Sequence, residues 1–278
     1  MLQERHIEAL RGWSDLGRNL RAQDGHDHAL AVSFVDSFQG LIEAGRSLRN
    51  FECQQITDLA DKSARILAPL GEPLRYDLGL HRMLAGAREE AYSDWLQWAF
   101  SQMTVAELEM VLGLHGLADP TQPNERPSVR RETPVQHGHE GHGGRLDLLI
   151  EIGQRAVLVI EVKITAAEQA NLGALPGYIQ AIEDGYPDIQ THYFLLTVGP
   201  NNENIDGFQA INYEEICLKM RKLAIIWLED CRNLEASMLL ALTASLEKNL
   251  LRMSVDPGNF TAHTKSHLER FVGENPNG

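Results

Sequence analysis

Asp147, Glu161 and Lys163 stand in "RLDLLIEIGQRAVLVIEVKI", residues 145 to 164, about the most apolar stretch of the chain. Side chains alternate faces along a strand, so Val157, Val159, Glu161 and Lys163 share one face and Leu158, Ile160, Val162 and Ile164 the other. With a turn centred on Gln154, Asp147 and Glu161 lie equally far from it on its two sides, which predicts a cross-strand carboxylate pair with Cβ atoms roughly 4.5 to 5.5 Å apart. Two ionised carboxylates so close in an apolar setting repel, and one takes up a proton unless a cation lies between them. A hard divalent cation such as Mg²⁺ removes the conflict, because it prefers oxygen ligands and a few waters. Lys163 has no acceptor to offer a metal, but its ammonium suits holding a water and stabilising negative charge at phosphorus. The same three residues also read as a structural ion pair, Lys163 neutralising Glu161 with Asp147 solvated at the start of its strand.

The elements that would position these groups follow from periodicity. Residues 1 to 115 read as helices, with breaks at "LGEP" and "YDLGL". "ADPTQPNERPSVRRETP", residues 118 to 134, is a polar, proline-rich connector into a first strand over 129–136. The runs on either side of Gly153, Gln154 and Arg155 form a hairpin. Thr165 followed by Glu168 is a capping-box start for a helix that Pro176 and Gly177 break or kink. "THYFLLTVG" and "FQAIN" are two more strands, and helical periodicity returns from residue 214 to about 251. The fold class is mixed α/β, with a helical region over 1–115, a core over 116–213 and a helical region over 214–278.

A second acid lies upstream in "REEAYSDWLQWAF", residues 88 to 100. On a helix, Glu89, Ser93, Leu96 and Phe100 fall on one stripe, while Leu84, Ala91, Trp95 and Trp98 fall on another. Glu90 sits about 100° round from Glu89, so one of the two points inward.

Asp147 in "RLDLLIE" and Glu161-Val162-Lys163 in "VIEVKI" resemble the PD-(D/E)XK nuclease superfamily, with its restriction-endonuclease-like fold. The likeness spans roughly residues 125 to 215, and the element order agrees with that family's α-β-β-β-α-β core, here with helical additions at both ends. No proline precedes Asp147; arginine and leucine stand there instead. "REEAYSDWLQWAF" is similar to the E-x-x-(H/Y)-S-x-x-L segment of an uncharacterised bacterial branch. The resemblance implies a nuclease hydrolysing phosphodiester bonds in nucleic acid, DNA above all, through a Mg²⁺-activated water, with Mn²⁺ able to substitute. It implies Asp147, Glu161 and the Val162 carbonyl as metal ligands, Lys163 placing the nucleophile, and Glu89 completing or bridging the site. Gln169 and Tyr178 would be the substrate-side Gln and Tyr of the family's helix, although Gly173 and the Pro176-Gly177 pair disturb their usual spacing.

The formal charge of -14 speaks against a simple cationic nucleic-acid binder. Residues 125 to 170 carry six Lys or Arg and seven Asp or Glu, however, so the acidity lies elsewhere. Arg126, Arg130, Arg131 and Arg145, with Lys219, Arg221 and Lys222 on a later helix, are the phosphate-gripping candidates. A bound metal, a partner such as a second copy of the chain, or a restricted substrate has to make up for the weak field. Three histidines in "HGHEGHGG", residues 137 to 144, lack the fixed scaffold of a zinc site and read as a connection between strands. Cys53, Cys217 and Cys231 suggest neither a disulfide framework nor a metal cluster. No apolar run approaches ~20 residues and no signal-peptide pattern opens the chain, so a cytoplasmic protein without membrane partners is expected. Two other classes stay open: a scaffold that keeps the fold without catalysis, and a phosphohydrolase acting on small nucleotides.

Overall fold

The computed structural model describes residues 27–76, 80–137, 142–165, 175–199, 205–256 and 258–275. Two compact units are present, Met1–Asp58 and Leu59–Gly278. The described part of the first is helical and belongs to α1 (Asp27–Ile66), whose last turns lie in the second unit. No helix among the described residues is long and apolar enough to cross a membrane.

The second unit is built on a five-stranded sheet, β1 (Ser128–His137), β2 (His142–Ile152), β3 (Ala156–Val162), β4 (Gln190–Thr197) and β5 (Gln209–Asn212), in that spatial order. The first two pairings are antiparallel and the last two parallel. Every residue of the central β3 is buried, as its nearly unbroken apolar run requires of a strand covered on both faces. The hairpin register places Leu148 opposite Ile160 and Ile152 opposite Ala156, so the turn is centred on Gln154. Leu148, Ile150, Leu158, Ile160 and Val162 face one core layer, shared with α3 (Glu89–Gln102), α4 (Val105–Leu112), α6 (Tyr213–Glu229) and α7 (Asn233–Asn249). The short α2 (Leu80–Leu84) precedes α3. Leu149, Val157, Val159 and Leu195 face the other layer, against α5 (Leu175–Gly185).

Leu146 and Leu149 both belong to that second layer, so the alternation along β2 slips between them. The slip falls at Asp147, opposite Glu132, whose φ of 51° is left-handed. Pro176 and Gly177 lie at the start of the described α5, and the capped helix expected from Thr165 falls on residues 166–174, outside the described residues.

The expected basic group on α6 is not a surface patch. Arg221 is fully buried, its Nε and Nη2 each 2.7 Å from the Glu247 carboxylate and its Nη1 and Nη2 2.9 and 2.8 Å from that of Glu72. Lys222 is engaged by Glu274. Glu72 also takes the Ser63 hydroxyl and, at 2.9 Å, the Leu74 N–H, and His267 Nε2 lies 2.9 Å from Glu247. Two acids, one guanidinium and a histidine on α8 (Ala262–Gly273) thus join the end of α1, the Glu72 segment, α6, α7 and α8 in one network. A guanidinium there satisfies two carboxylates at once only because its donors form a planar fork.

Arg221→Met, which leaves two buried acids uncompensated, is expected to cost roughly 3 to 5 kcal/mol in a denaturant titration. Burial opposes charging His267, but Glu214 and Glu247 outweigh it and raise its pKa above 6.5. That histidine contributes stability that is complete below about 6.5 and disappears as pH climbs through its raised value. Glu247 works the other way: although burial disfavours its charge, Arg221 and His267 lower its pKa to about 2, so its contribution is present above 4.5 and fades toward pH 2. Melting temperature followed against pH should therefore show His267→Gln losing most below pH 6.5 and little at high pH.

Candidate active site

The parallel strands β3, β4 and β5 bring their carboxyl ends to one edge of the sheet, the edge where open α/β sheets bind ligands. Lys163 follows β3 there, its N–H donating to the Leu196 carbonyl at 2.8 Å. Asp147 on β2 is across the hairpin, 8% exposed, and Glu161 and Lys163 are 7% and 6% exposed. Asp147 Oδ2 accepts the Val162 N–H at 2.7 Å, and Lys163 Nζ lies 2.7 Å from Glu161 Oε1. Lys163 Nζ also sits 3.4 and 3.5 Å from the two oxygens of Glu89.

Glu89 opens α3 on the stripe that Ser93, Leu96 and Phe100 bury, whereas Glu90 is exposed. That difference turns Glu89 to the sheet. The second stripe, Ala91, Trp95 and Trp98, is half-buried against the same core. Tyr92 and Ala99 are also buried, so the inward face of α3 is broader than one stripe.

One ammonium thus serves three carboxylates in a mostly dry site. Burial and the neighbouring charge of Glu161 push the Asp147 pKa up to about 7. Burial also raises Glu161, against the pull of Lys163. Lys163 itself is held charged: burial disfavours the ammonium, but Glu161, Asp147 and Glu89 together raise its pKa. Among the described residues, Glu161 Oε2 is buried without a hydrogen-bond partner. An ionised oxygen left so costs several kcal/mol unless something positive reaches it. No ready-made group of three His, Cys, Asp or Glu encloses a metal among the described residues. Two carboxylates with open coordination fit a Mg²⁺-like ion that keeps several waters, and fit a zinc cage poorly.

Tyr178 on α5 reaches the same edge. It is 7% exposed and packs on Gly144, where an added Cβ would come within 2.5 Å of its Cε1. Burial, then Glu161 and Asp147, raise its phenol pKa. Gln169, His139 and the side chains of His137 and His142 lie outside what is described. The proposed phosphate-gripping arginines are mostly engaged: Arg130 with Glu151 at 2.9 Å and with the Tyr186 hydroxyl, Arg131 with Asp94, and Arg145 with Glu132 at 2.7 Å. Arg126 and Arg145 are exposed, and Arg145 keeps 70% of its side chain open.

Tyr213, at the junction of β5 and α6, was not singled out by spacing. It is fully buried, its hydroxyl has no hydrogen-bond partner among the described residues, and burial with the nearby charge of Asp147 raises its pKa well above 10. The only signal in the sequence is its place at the carboxyl end of a parallel strand.

Asp147→Asn removes the group most penalised by the site while leaving an oxygen for Val162. The wild-type carboxyl stays protonated up to about 7 when folded and ionises near 3.8 when unfolded, so stability falls as pH rises from about 4 to about 7. In chelator at pH 8, the Asn variant should melt above wild type, and the difference should vanish below pH 4; calorimetry on both proteins checks it.

A family model described as the PD-(D/E)XK nuclease superfamily matches residues 99–244. No curated protein and no solved structure matches the chain. The match covers both hairpin strands with Asp147, Glu161 and Lys163, though not Glu89, and it extends over the sheet into α7. With the mixed five-stranded sheet between helices, this is the restriction-endonuclease-like core that the element order implied. The chain belongs to the PD-(D/E)XK nuclease superfamily.

Proposed function

We propose that the protein is a metal-dependent nuclease that hydrolyses phosphodiester bonds, with DNA as its substrate. The observation that carries this is the unpartnered, buried Glu161 Oε2 beside Asp147, with the Lys163 ammonium within hydrogen-bond reach of Glu161. Asp147 and Glu161 would hold a Mg²⁺ or Mn²⁺ ion together with the Val162 carbonyl, and Glu89 would complete or bridge the site. Such an ion neutralises the paired acids and makes a coordinated water more acidic.

The remaining work falls to the chain. The Val162 N–H fixes one oxygen of Asp147, which leaves the other to face the site. Lys163 is too firmly protonated to act as a base, so it orients the attacking water and stabilises the charge that builds on the phosphoryl oxygens. Glu89 shares Lys163 with Glu161 and keeps the ammonium between them. Tyr178, Arg145 and Gln169 are the proposed contacts to the nucleic-acid strand, with Arg130 and Arg131 bracing β1 through their acids. The exposed Arg145 is the one best placed to meet a phosphate.

The structural ion pair is also visible at 2.7 Å, and it defines the test. Single- and double-stranded DNA and RNA are incubated with Mn²⁺ and wild type, Lys163→Ala or Glu161→Gln, and melting is followed with and without the cation. Wild type should cleave DNA, and a cation at ten times its Kd should add about 1.4 kcal/mol of stability. Lys163→Ala should lose about 10² to 10³ in rate and keep the cation response. Glu161→Gln should lose both. A wild type that ignores the cation and cleaves nothing would favour the scaffold; turnover of mononucleotides alone would favour the small-nucleotide hydrolase.

A further inference from the structure

A cavity of about 300 Å³ opens beside the proposed site, lined by Ala85, Gly86 and Ala87 before α3, Tyr92 within it, Ile164 and Thr165, and Asn249, Leu250 and Arg252 at the end of α7. Its place is fixed by the chain: Ile164 is the residue after Lys163, and Tyr92 is one helical turn beyond Glu89. Seven of these nine residues lie outside residues 99–244, so the cavity is made by what this chain adds to the family core.

The lining has two characters. Ala85, Ala87, Ile164 and Leu250 give an apolar bed over the buried Tyr92, while Asn249 and Arg252 bring an amide and a guanidinium to it. Asn249 also bonds the Tyr92 hydroxyl, which donates to the Leu84 carbonyl at 2.8 Å, so this wall is held rigid. Arg252 makes no salt bridge or hydrogen bond through its side chain among the described residues, in a chain rich in acids. Its φ is 56°, a left-handed position just past a helix, where glycine is the unstrained choice. An arginine at such a strained position, with no acid paired to it among the described residues and lining a cavity, invites a functional reading.

We propose that this cavity holds one unpaired nucleotide of the strand being cut, its base on the apolar bed of Ala87, Ile164 and Leu250 and its phosphate on Arg252. The volume sits at the lower end for ligand pockets, enough for one nucleotide and far too small for a base pair with its backbones. Planar bases lie against apolar walls whatever their sequence, and guanidinium groups hold phosphate through paired donors. The enzyme therefore selects DNA with an unpaired base next to the scissile bond: single strands, flaps or frayed ends. This inference rests on the nuclease reading of the neighbouring site.

The test uses the full chain and fluorescein-labelled oligonucleotides, single-stranded and fully paired, with Ca²⁺ in place of Mg²⁺ for binding and Mn²⁺ for cleavage. Arg252→Gly relieves the left-handed backbone and should melt no lower than wild type, yet bind the single strand about tenfold more weakly in anisotropy and leave the duplex unchanged. Ala87→Trp, which fills the cavity with Arg252 intact, should give the same selective loss. Cleavage of the single strand by both variants should show a raised KM with kcat little changed. Equal losses on both substrates, no loss on either, or no binding of the single strand by wild type would overturn the assignment. A selective binding loss in a protein that cleaves nothing would leave the cavity assigned and defeat the nuclease reading, and cleavage of single strands indifferent to both variants would do the reverse.

Discussion

Three carboxylates gathered around one ammonium at the edge of a buried sheet are the constraint to which the rest of the protein answers. Asp147 and Glu161 are almost wholly out of water, and among the described residues Lys163 is their single close cation, shared with Glu89. Such a group cannot stand on a loop, since repulsion would drive the acids into solvent. It is held by β3, buried at every residue, and by the hairpin register that fixes Asp147 relative to Glu161. The Val162 N–H, spare at the end of its strand, is turned into an anchor for Asp147. The stability spent in holding these groups together is the same free energy that makes a divalent cation welcome.

The helices explain how the sheet carries that load. α3 delivers Glu89 because its buried face is continuous with Ser93, Leu96 and Phe100. α6 and α7 pack in the same layer as α3, and they are fastened by Arg221 between Glu72 and Glu247. Two charged clusters thus sit in one unit with opposite chemistry. The Arg221 cluster has nearly every donor and acceptor matched, and the Asp147 cluster leaves a buried oxygen open. A matched cluster sets geometry; an unmatched one invites a ligand.

Much of this was legible in sequence, for reasons that differ by element. The hairpin could be read because alternation and a three-residue turn admit one register, and a slip by one residue would have reversed both faces. The five strands and flanking helices followed from where periodicity changes. The inward Glu89 was one of two options, and only packing of the α3 stripe separates it from Glu90. Arg221 was misread because "KMRK" looks like a solvated cluster, and its partners lie 149 and 26 residues away. No local pattern marks such a pairing. Tyr213 was missed likewise, since a tyrosine after a short strand is ordinary until the fold buries it within the field of Asp147.

The Arg221 network also bears on how the protein is made. Ser63 and Glu72 leave the ribosome long before Arg221, Glu247 and His267, and a carboxylate such as Glu72 has no reason to enter a core until its guanidinium exists. The strands carrying Asp147 and Glu161 are synthesised between these partners. Vectorial synthesis therefore yields the two acids of the site before the helices that confine them are secured. The layer that gives the site its dry surroundings closes only when α8 has emerged, so assembly of the site is tied to completion of the unit that supports it.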